Sequence, residues 1–152
     1  AGAANRISNV EHLVGSAFAD KLGGSAAAET IMGGAGTDSL WGNAGEDILD
    51  GGAGADSYWF GVGDGADTIA SSVYNSQDMV MFYGDGIGGG GITSTVVSGN
   101  HLTIGLSSGD SLTLIDWGVG GGNKLNKFDF GSGGLWSLAV DDNNVATWTR
   151  MS

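Results

Sequence analysis

The chain has 152 residues, with 17 acidic against 5 basic side chains and a formal charge of −12. That balance excludes the Lys/Arg patches that nucleic acid and anionic membranes require. Cysteine is absent, which excludes disulfides and thiolate sites, and the only histidines, His12 and His101, lack the neighbours of a zinc site.

What remains is a carboxylate-rich chain suited to a hard cation bound by oxygen, calcium before magnesium. The 31 glycines, without a single proline, point to many tight turns rather than collagen or an extended linker. No apolar run approaches the roughly 20 residues of a membrane-spanning helix, and no signal-peptide pattern stands at the N-terminus. The length suits one core, or one elongated unit with a cap.

From Gly15 onward the chain falls into nonapeptides: GSAFADKLG (15–23), GSAAAETIM (24–32), GGAGTDSLW (33–41), GNAGEDILD (42–50) and GGAGADSYW (51–59). Glycine opens every unit. An acid holds the sixth place (Asp20, Glu29, Asp38, Asp47, Asp56), and an apolar or aromatic residue the eighth (Leu22, Ile31, Leu40, Leu49, Tyr58). Leu13 keeps this phase one unit upstream, as a degenerate entry coil. The first six places of a unit, rich in glycine, make a turn, and the last three make a short strand whose middle side chain points inward. Two nonapeptides, each a turn and a strand, then complete one coil, and the coils stack their apolar rows into a β-solenoid. A solvated Gly/Asp linker would have no reason to carry those in-phase apolar residues.

Stacking also brings the acids into register: Asp20 with Asp38 and Asp56 on one edge, Glu29 with Asp47 on the other. Carboxylates so close repel unless a cation sits between them. Two such side chains, with backbone carbonyls of the turn glycines (Gly33, Gly34, Gly36, Gly45, Gly51, Gly52, Gly54), reach the six to eight oxygens that calcium prefers. Glu29 is one methylene longer than its neighbours. Without calcium the thin core does not offset the chain entropy, so binding and folding are expected to be one event.

This repeat resembles the RTX, or haemolysin-type calcium-binding, family, whose consensus is GGxGxDxUx. GGAGTDSLW and GGAGADSYW match every defined position, and GNAGEDILD lacks only the second glycine. The first two units depart further: Phe18 and Ala27 replace the fourth glycine, and Glu29 replaces aspartate. After Trp59 the period slips by Phe60, and YWFGVGDGADTI looks like the segment that closes RTX rolls. A last site is therefore expected at Asp64 and Asp67, although counting one full coil on from Asp47 does not choose between them. The resemblance implies three to five calcium ions and export unfolded by type I secretion, as part of a longer secreted or cell-surface protein.

Strands are predicted over 77–83, 101–106, 110–117, 125–131, 134–140 and 144–150, with loops at 85–91 and 118–122. This half resembles the haemolysin-type calcium-binding related region, through MVMFYGDGI, LTI, SLTLIDW and FDFGSGGLW. The expected fold is thus all-β: a calcium-bearing parallel β-roll over 1–69, capped by an antiparallel β region over 70–152. Trp117, Phe128, Phe130 and Trp136 are expected to form the core of the cap.

Other patterns reduce to structure. GLSSG (105–109) satisfies G-x-S-x-G but lies between alternating strands, as a hairpin turn would. GDGIGG (84–89) has no helix after it, and the histidines have no acid partner. No enzymatic constellation emerges. Trp41 and Trp59, both ninth in their units, should stack on one outer face. There they would form a platform for a sugar, as in an adhesive or carbohydrate-binding module, or the preferred contact with the cap or an adjacent domain.

Overall fold

The computed structural model describes residues 10–70, 74, 76–84, 91–117, 125–141 and 145–152. Eight strands wind alternately between two sheets: β1 (His12–Val14), β2 (Lys21–Gly23), β3 (Thr30–Gly36), β4 (Ser39–Trp41), β5 (Ile48–Gly54), β6 (Ser57–Gly61), β7 (Ala66–Ile69) and β8 (Met79–Tyr83). Odd-numbered strands pair parallel in one sheet and even-numbered strands in the other, as a parallel β-roll requires.

The registers carry the nonapeptide phase into space. Leu13 lies opposite Ile31 and Ile31 opposite Leu49, while Leu22 lies opposite Leu40 and Leu40 opposite Tyr58. The inward row of Ile31, Leu40, Leu49 and Tyr58 is at most 1 % exposed. Each such side chain contributes about 1.5–3 kcal/mol by leaving water. Their seventh- and ninth-place neighbours face outward, exposed at Ile48 and Met32 and half-buried at Ser39, Trp41, Ser57 and Trp59.

After Trp59 the extra residue has a structural use. It lengthens β6 so that Phe60 follows Tyr58 inward, where it meets Phe82 edge-on at 6.1 Å. The coil also lengthens: Leu49 is paired with Ile69, and Tyr58 with Val80, each further along the chain than two nonapeptides would place it. Six further strands complete the fold: β9 (Ile92–Ser98), β10 (His101–Leu106), β11 (Ser111–Leu114), β12 (Lys127–Asp129), β13 (Leu135–Val140) and β14 (Ala146–Arg150).

Parallel pairing continues past residue 69, because β11 joins β7 and β12 joins β8 in parallel. Antiparallel strands then close both sheets: β10 and β9 beyond β11, β13 and β14 beyond β12. Trp117, Phe128 and Phe130 are buried as expected, and Trp136 packs against them half-buried. Phe82 stacks on Phe130 at 4.7 Å, so one continuous core links the two halves. The predicted loop at 118–122, that at 85–91 except for Gly91, and most of GDGIGG lie outside the described residues, whereas GLSSG spans the hairpin between β10 and β11.

Turns stack as closely as strands. Gly34 lies opposite Gly52, and Gly36 opposite Gly54. Gly54 has φ +137°, and a Cβ there would stand 1.5 Å from the Gly36 carbonyl oxygen of the adjoining coil. Where the second glycine is missing, Asn43 takes φ +63° and its amide donates to the Gly24 carbonyl at 2.9 Å. Asparagine is among the few residues that tolerate this conformation.

Two glycine substitutions separate crowding from backbone strain. Gly63 has φ +93° but nothing within 4 Å of its absent Cβ. Gly63→Ala is expected to cost about 1–2 kcal/mol from backbone strain alone. Gly54→Ala should cost at least twice as much, read as the urea midpoint in saturating calcium. Equal midpoints would contradict the tight stacking of the turns.

Candidate metal centre

The turn acids share one geometry. In each coil a carboxylate Oδ1 accepts the backbone N–H of the acid one coil earlier. Asp20 donates to Asp38 at 2.9 Å and Asp38 to Asp56 at 2.9 Å; on the other edge Glu29 donates to Asp47 at 2.7 Å. Asp47 then donates to Asp67 at 3.1 Å. The structure thus makes Asp67, not Asp64, the successor of Asp47. Asp78 is a member that the sequence reading passed over: it is fully buried and accepts the Asp56 N–H at 3.0 Å.

The second oxygen is the informative one. Oδ2 of Asp38, Asp47, Asp56 and Asp67 is buried without a hydrogen-bond partner. Burying a carboxylate oxygen unmatched is costly, and such groups are normally paired or bound to metal. The first-place glycines keep open the space beside these atoms. A Cβ on Gly33 would stand 2.5 Å from Asp38 Oδ2 and 2.7 Å from the Gly51 carbonyl oxygen. Gly42 and Gly51 stand in the same relation, 2.5 Å by the same measure, to Asp47 Oδ2 and Asp56 Oδ2.

Gly34, Gly36, Gly45, Gly52 and Gly54 take positive φ and lay their backbone on the adjoining coils. Among the described residues no three His, Cys, Asp or Glu side chains gather as a metal cluster. The donors are instead paired carboxylates and main-chain carbonyls, all oxygen, the chemistry of a calcium site.

Asp20 and Glu29 are placed differently. Their units carry serine second, and Ser16 donates both its N–H (2.6 Å) and its hydroxyl (2.8 Å) to Asp20 Oδ2. Ser25 does the same for Glu29, through its N–H at 3.0 Å and a very short hydroxyl contact. The Ser16 bonds, the backbone one foremost, hold the Asp20 carboxyl below the usual range.

Asp64 stands apart from the ladder. Its carboxylate accepts the Tyr83 hydroxyl at 2.8 Å and the Gly61 N–H at 2.7 Å. Burial raises its pKa, and burial together with Asp64 raises that of Tyr83. Asp110 reaches back from the hairpin to accept the N–H groups of Gly63 (2.9 Å) and Gly65 (3.0 Å). Against a desolvation that acts upward, these bonds and one from Ser108 keep the Asp110 carboxyl low.

Burial drives Asp47, Asp56 and Asp67 the other way. Desolvation first, then the charges of Glu29 and Asp64, push Asp47 up to about 6. Asp56 rises to about 6 through burial, with Asp78 and Asp38 adding repulsion. Asp67 rises to about 7 through burial and the charges of Asp47, Asp64 and Asp110. A bound cation offsets these same effects.

Elsewhere, His12 and His101 lie exposed on their strands, with His101 Nδ1 accepting the Asp116 N–H at 3.1 Å. A cleft of about 280 Å³ beside β9 is lined by Phe130, Trp136, Trp148 and hydroxyl side chains, with no titratable group. Trp41 and Trp59 stack at 5.4 Å and 19°, both half-buried.

Fold and turn chemistry together define a calcium-binding parallel β-roll. Residues 23–58 match the RTX calcium-binding nonapeptide repeat in four copies, so this segment carries RTX-type repeats, a structural calcium-binding module. Among solved structures, the chain is similar to the AlgE6R3 subunit of the Azotobacter vinelandii mannuronan C5-epimerase. The two are 28 % identical, with 72 % of this chain and 78 % of that one covered and a TM-score of 0.42. No curated protein sequence matches the chain.

The raised carboxyls give a pH dependence of definite sign. A folded pKa near 6–7 against an unfolded value near 3.8 means that the cation-free fold is favoured while these groups are protonated. In chelator, β structure should therefore be greatest near pH 4 and decline as pH rises through 6–7. Calcium affinity should rise over the same window, because protons and calcium compete. Circular dichroism at pH 4.5 and 7.5, with and without chelator, checks both signs.

Proposed function

We propose that this chain is the calcium-dependent folding module of a secreted protein, loose where calcium is scarce and folded where it is plentiful. The four buried, unpartnered aspartate oxygens carry the reading. They make the cation-free fold costly near neutral pH, so calcium acts as a condition of folding more than as an ornament. The ligands are Asp38, Asp47, Asp56 and Asp67 with carbonyls of the turn glycines. Asp20 and Glu29 take part from the first coils, and three to five ions bind per chain.

Extracellular calcium modules bind at about 10⁻⁴ to 10⁻³ M. The module therefore stays unfolded in the cytoplasm, suits type I export, and folds outside. Residues 70–152 serve as the cap. A solenoid end is an open sheet edge prone to association, and the antiparallel strands cover it.

A calcium titration of the chelated chain by far-UV circular dichroism, with magnesium as control, tests this. The expected result is a cooperative, calcium-selective coil-to-β transition with a midpoint of about 0.1–1 mM at pH 7.5. A chain already fully β in chelator, and unchanged by calcium, would overturn the folding role.

The Trp41–Trp59 stack supports a second reading, in which calcium is only structural and the indole face binds a sugar ring. On that reading glycan binding is present and is lost in Trp41→Ala and in Trp59→Ala, with the calcium transition kept. Absence of glycan binding on an array leaves the folding role alone.

A further inference from the structure

We propose a calcium site outside the nonapeptide repeats, between Asp56 and Asp78, that fastens β8, the eighth strand of the roll, to β6. It rests on the calcium reading above and goes beyond it in naming a ligand that no repeat predicts. The RTX match ends at residue 58, well short of Asp78. No nonapeptide turn precedes Asp78 in the sequence.

The geometry nevertheless repeats that of the ladder. Asp78 Oδ1 accepts the Asp56 N–H at 3.0 Å, against 2.9 Å for Asp56 with Asp38. Ser57 lies opposite Met79 and Tyr58 opposite Val80, so both acids precede their strands by the same step. The Met79 N–H donates to the Asp56 carbonyl at 2.9 Å, as Ser57 does to Asp38. Asp78 is 0 % and Asp56 1 % exposed, and Asp56 Oδ2 has no hydrogen-bond partner.

Two carboxylates buried side by side, one with an oxygen unmatched, call for a cation of their own. The next coil shows where the ladder stops. Carried back one residue, the pairing of Lys127 with Met79 brings Asn126 opposite Asp78, an amide in place of an acid. A neutral residue there ends the run of charge at the Asp56–Asp78 pair.

Asp78→Asn tests the site with little change of shape, since the amide oxygen can still accept the Asp56 N–H. Calcium stoichiometry is counted by equilibrium dialysis and calorimetry on wild type and variant, with β content followed by circular dichroism. We expect the variant to fold in calcium, bind one ion fewer than wild type, and need more calcium at its midpoint. An unchanged ion count would overturn the proposal. So would a variant folded more readily in chelator with its ion count intact, the result expected if Asp78 only repels Asp56.

Should Asp78→Asn fail to fold in saturating calcium, Asp78→Glu, which keeps the charge, must fold with the full ion count. If it does not, the position is steric and the proposal falls. Wild type that binds no calcium at all would instead sink the underlying calcium reading, an outcome distinct from an unchanged count in the variant.

Discussion

The structure depends on a row of carboxylates that it buries without neutralising. Each ladder acid uses one oxygen to accept a backbone N–H from the coil before it, which fixes coil on coil. Adjacent coils are about 4.8 Å apart. At an effective dielectric constant near 20, like charges at that distance repel by roughly 3 kcal/mol per pair. Five successive contacts of this kind run along the two edges, and the repulsion is least screened where both acids are buried, as at Asp38, Asp47, Asp56, Asp67 and Asp78. The same side chains are therefore the hinge pins of the stack and, on the proposed folding role, the reason that it would need cations.

Glycine makes the arrangement sterically feasible. Turn lies on turn so closely that the carbonyl of one glycine occupies the Cβ position of the next, as at Gly36 and Gly54. Such turns contribute almost no apolar burial. From β2 to β5 the roll is left with one inward apolar side chain per strand, and its hydrophobic gain there is correspondingly thin. The second half compensates with aromatic mass: Phe60, Phe82, Phe128, Phe130 and Trp148 form one contiguous group. Apolar burial is thus unevenly divided along the molecule, thin in the repeat coils and concentrated where the capping strands join them.

That division explains what the sequence made legible. Where the period is strict, phase alone identified the inward residues Ile31, Leu40, Leu49 and Tyr58 and the acids at 38, 47 and 56, because backbone repetition turns spacing into position. Past Trp59 the coils outgrow two nonapeptides, and phase stops being a guide. Asp67 could not be chosen over Asp64 by counting, and Asp78 was taken for part of a strand.

A local signal was nevertheless present: Asp67-Thr68-Ile69 and Asp78-Met79-Val80 repeat the acid-x-apolar triplet of Asp56-Ser57-Tyr58. Strand β9 escaped notice for another reason. It is a sheet edge, and no residue within Ile92–Ser98 is fully buried, so its sequence carries little alternation.

The ends of the ladder show that charge is distributed with as much restriction as apolar surface. At the entry, Ser16 and Ser25 supply two donors each to Asp20 and Glu29, partners that the glycine-second units do not offer their acids. At the exit, Leu112 stands opposite Asp67 on one edge, and Asn126 follows Asp78 on the other. Asp110 sits just outside, its carboxylate matched by the amides of Gly63 and Gly65. Among the described residues, the buried carboxylate oxygens without a hydrogen-bond partner are those of Asp38, Asp47, Asp56 and Asp67, the middle of the stack. The central acids share the coil-to-coil hydrogen bond of their neighbours but leave their second oxygen unmatched. On the proposed folding role, the need for calcium would be concentrated in these coils, which bury little more than one apolar side chain per strand. There, ordering one coil would order its neighbours, the condition under which binding several ions becomes cooperative.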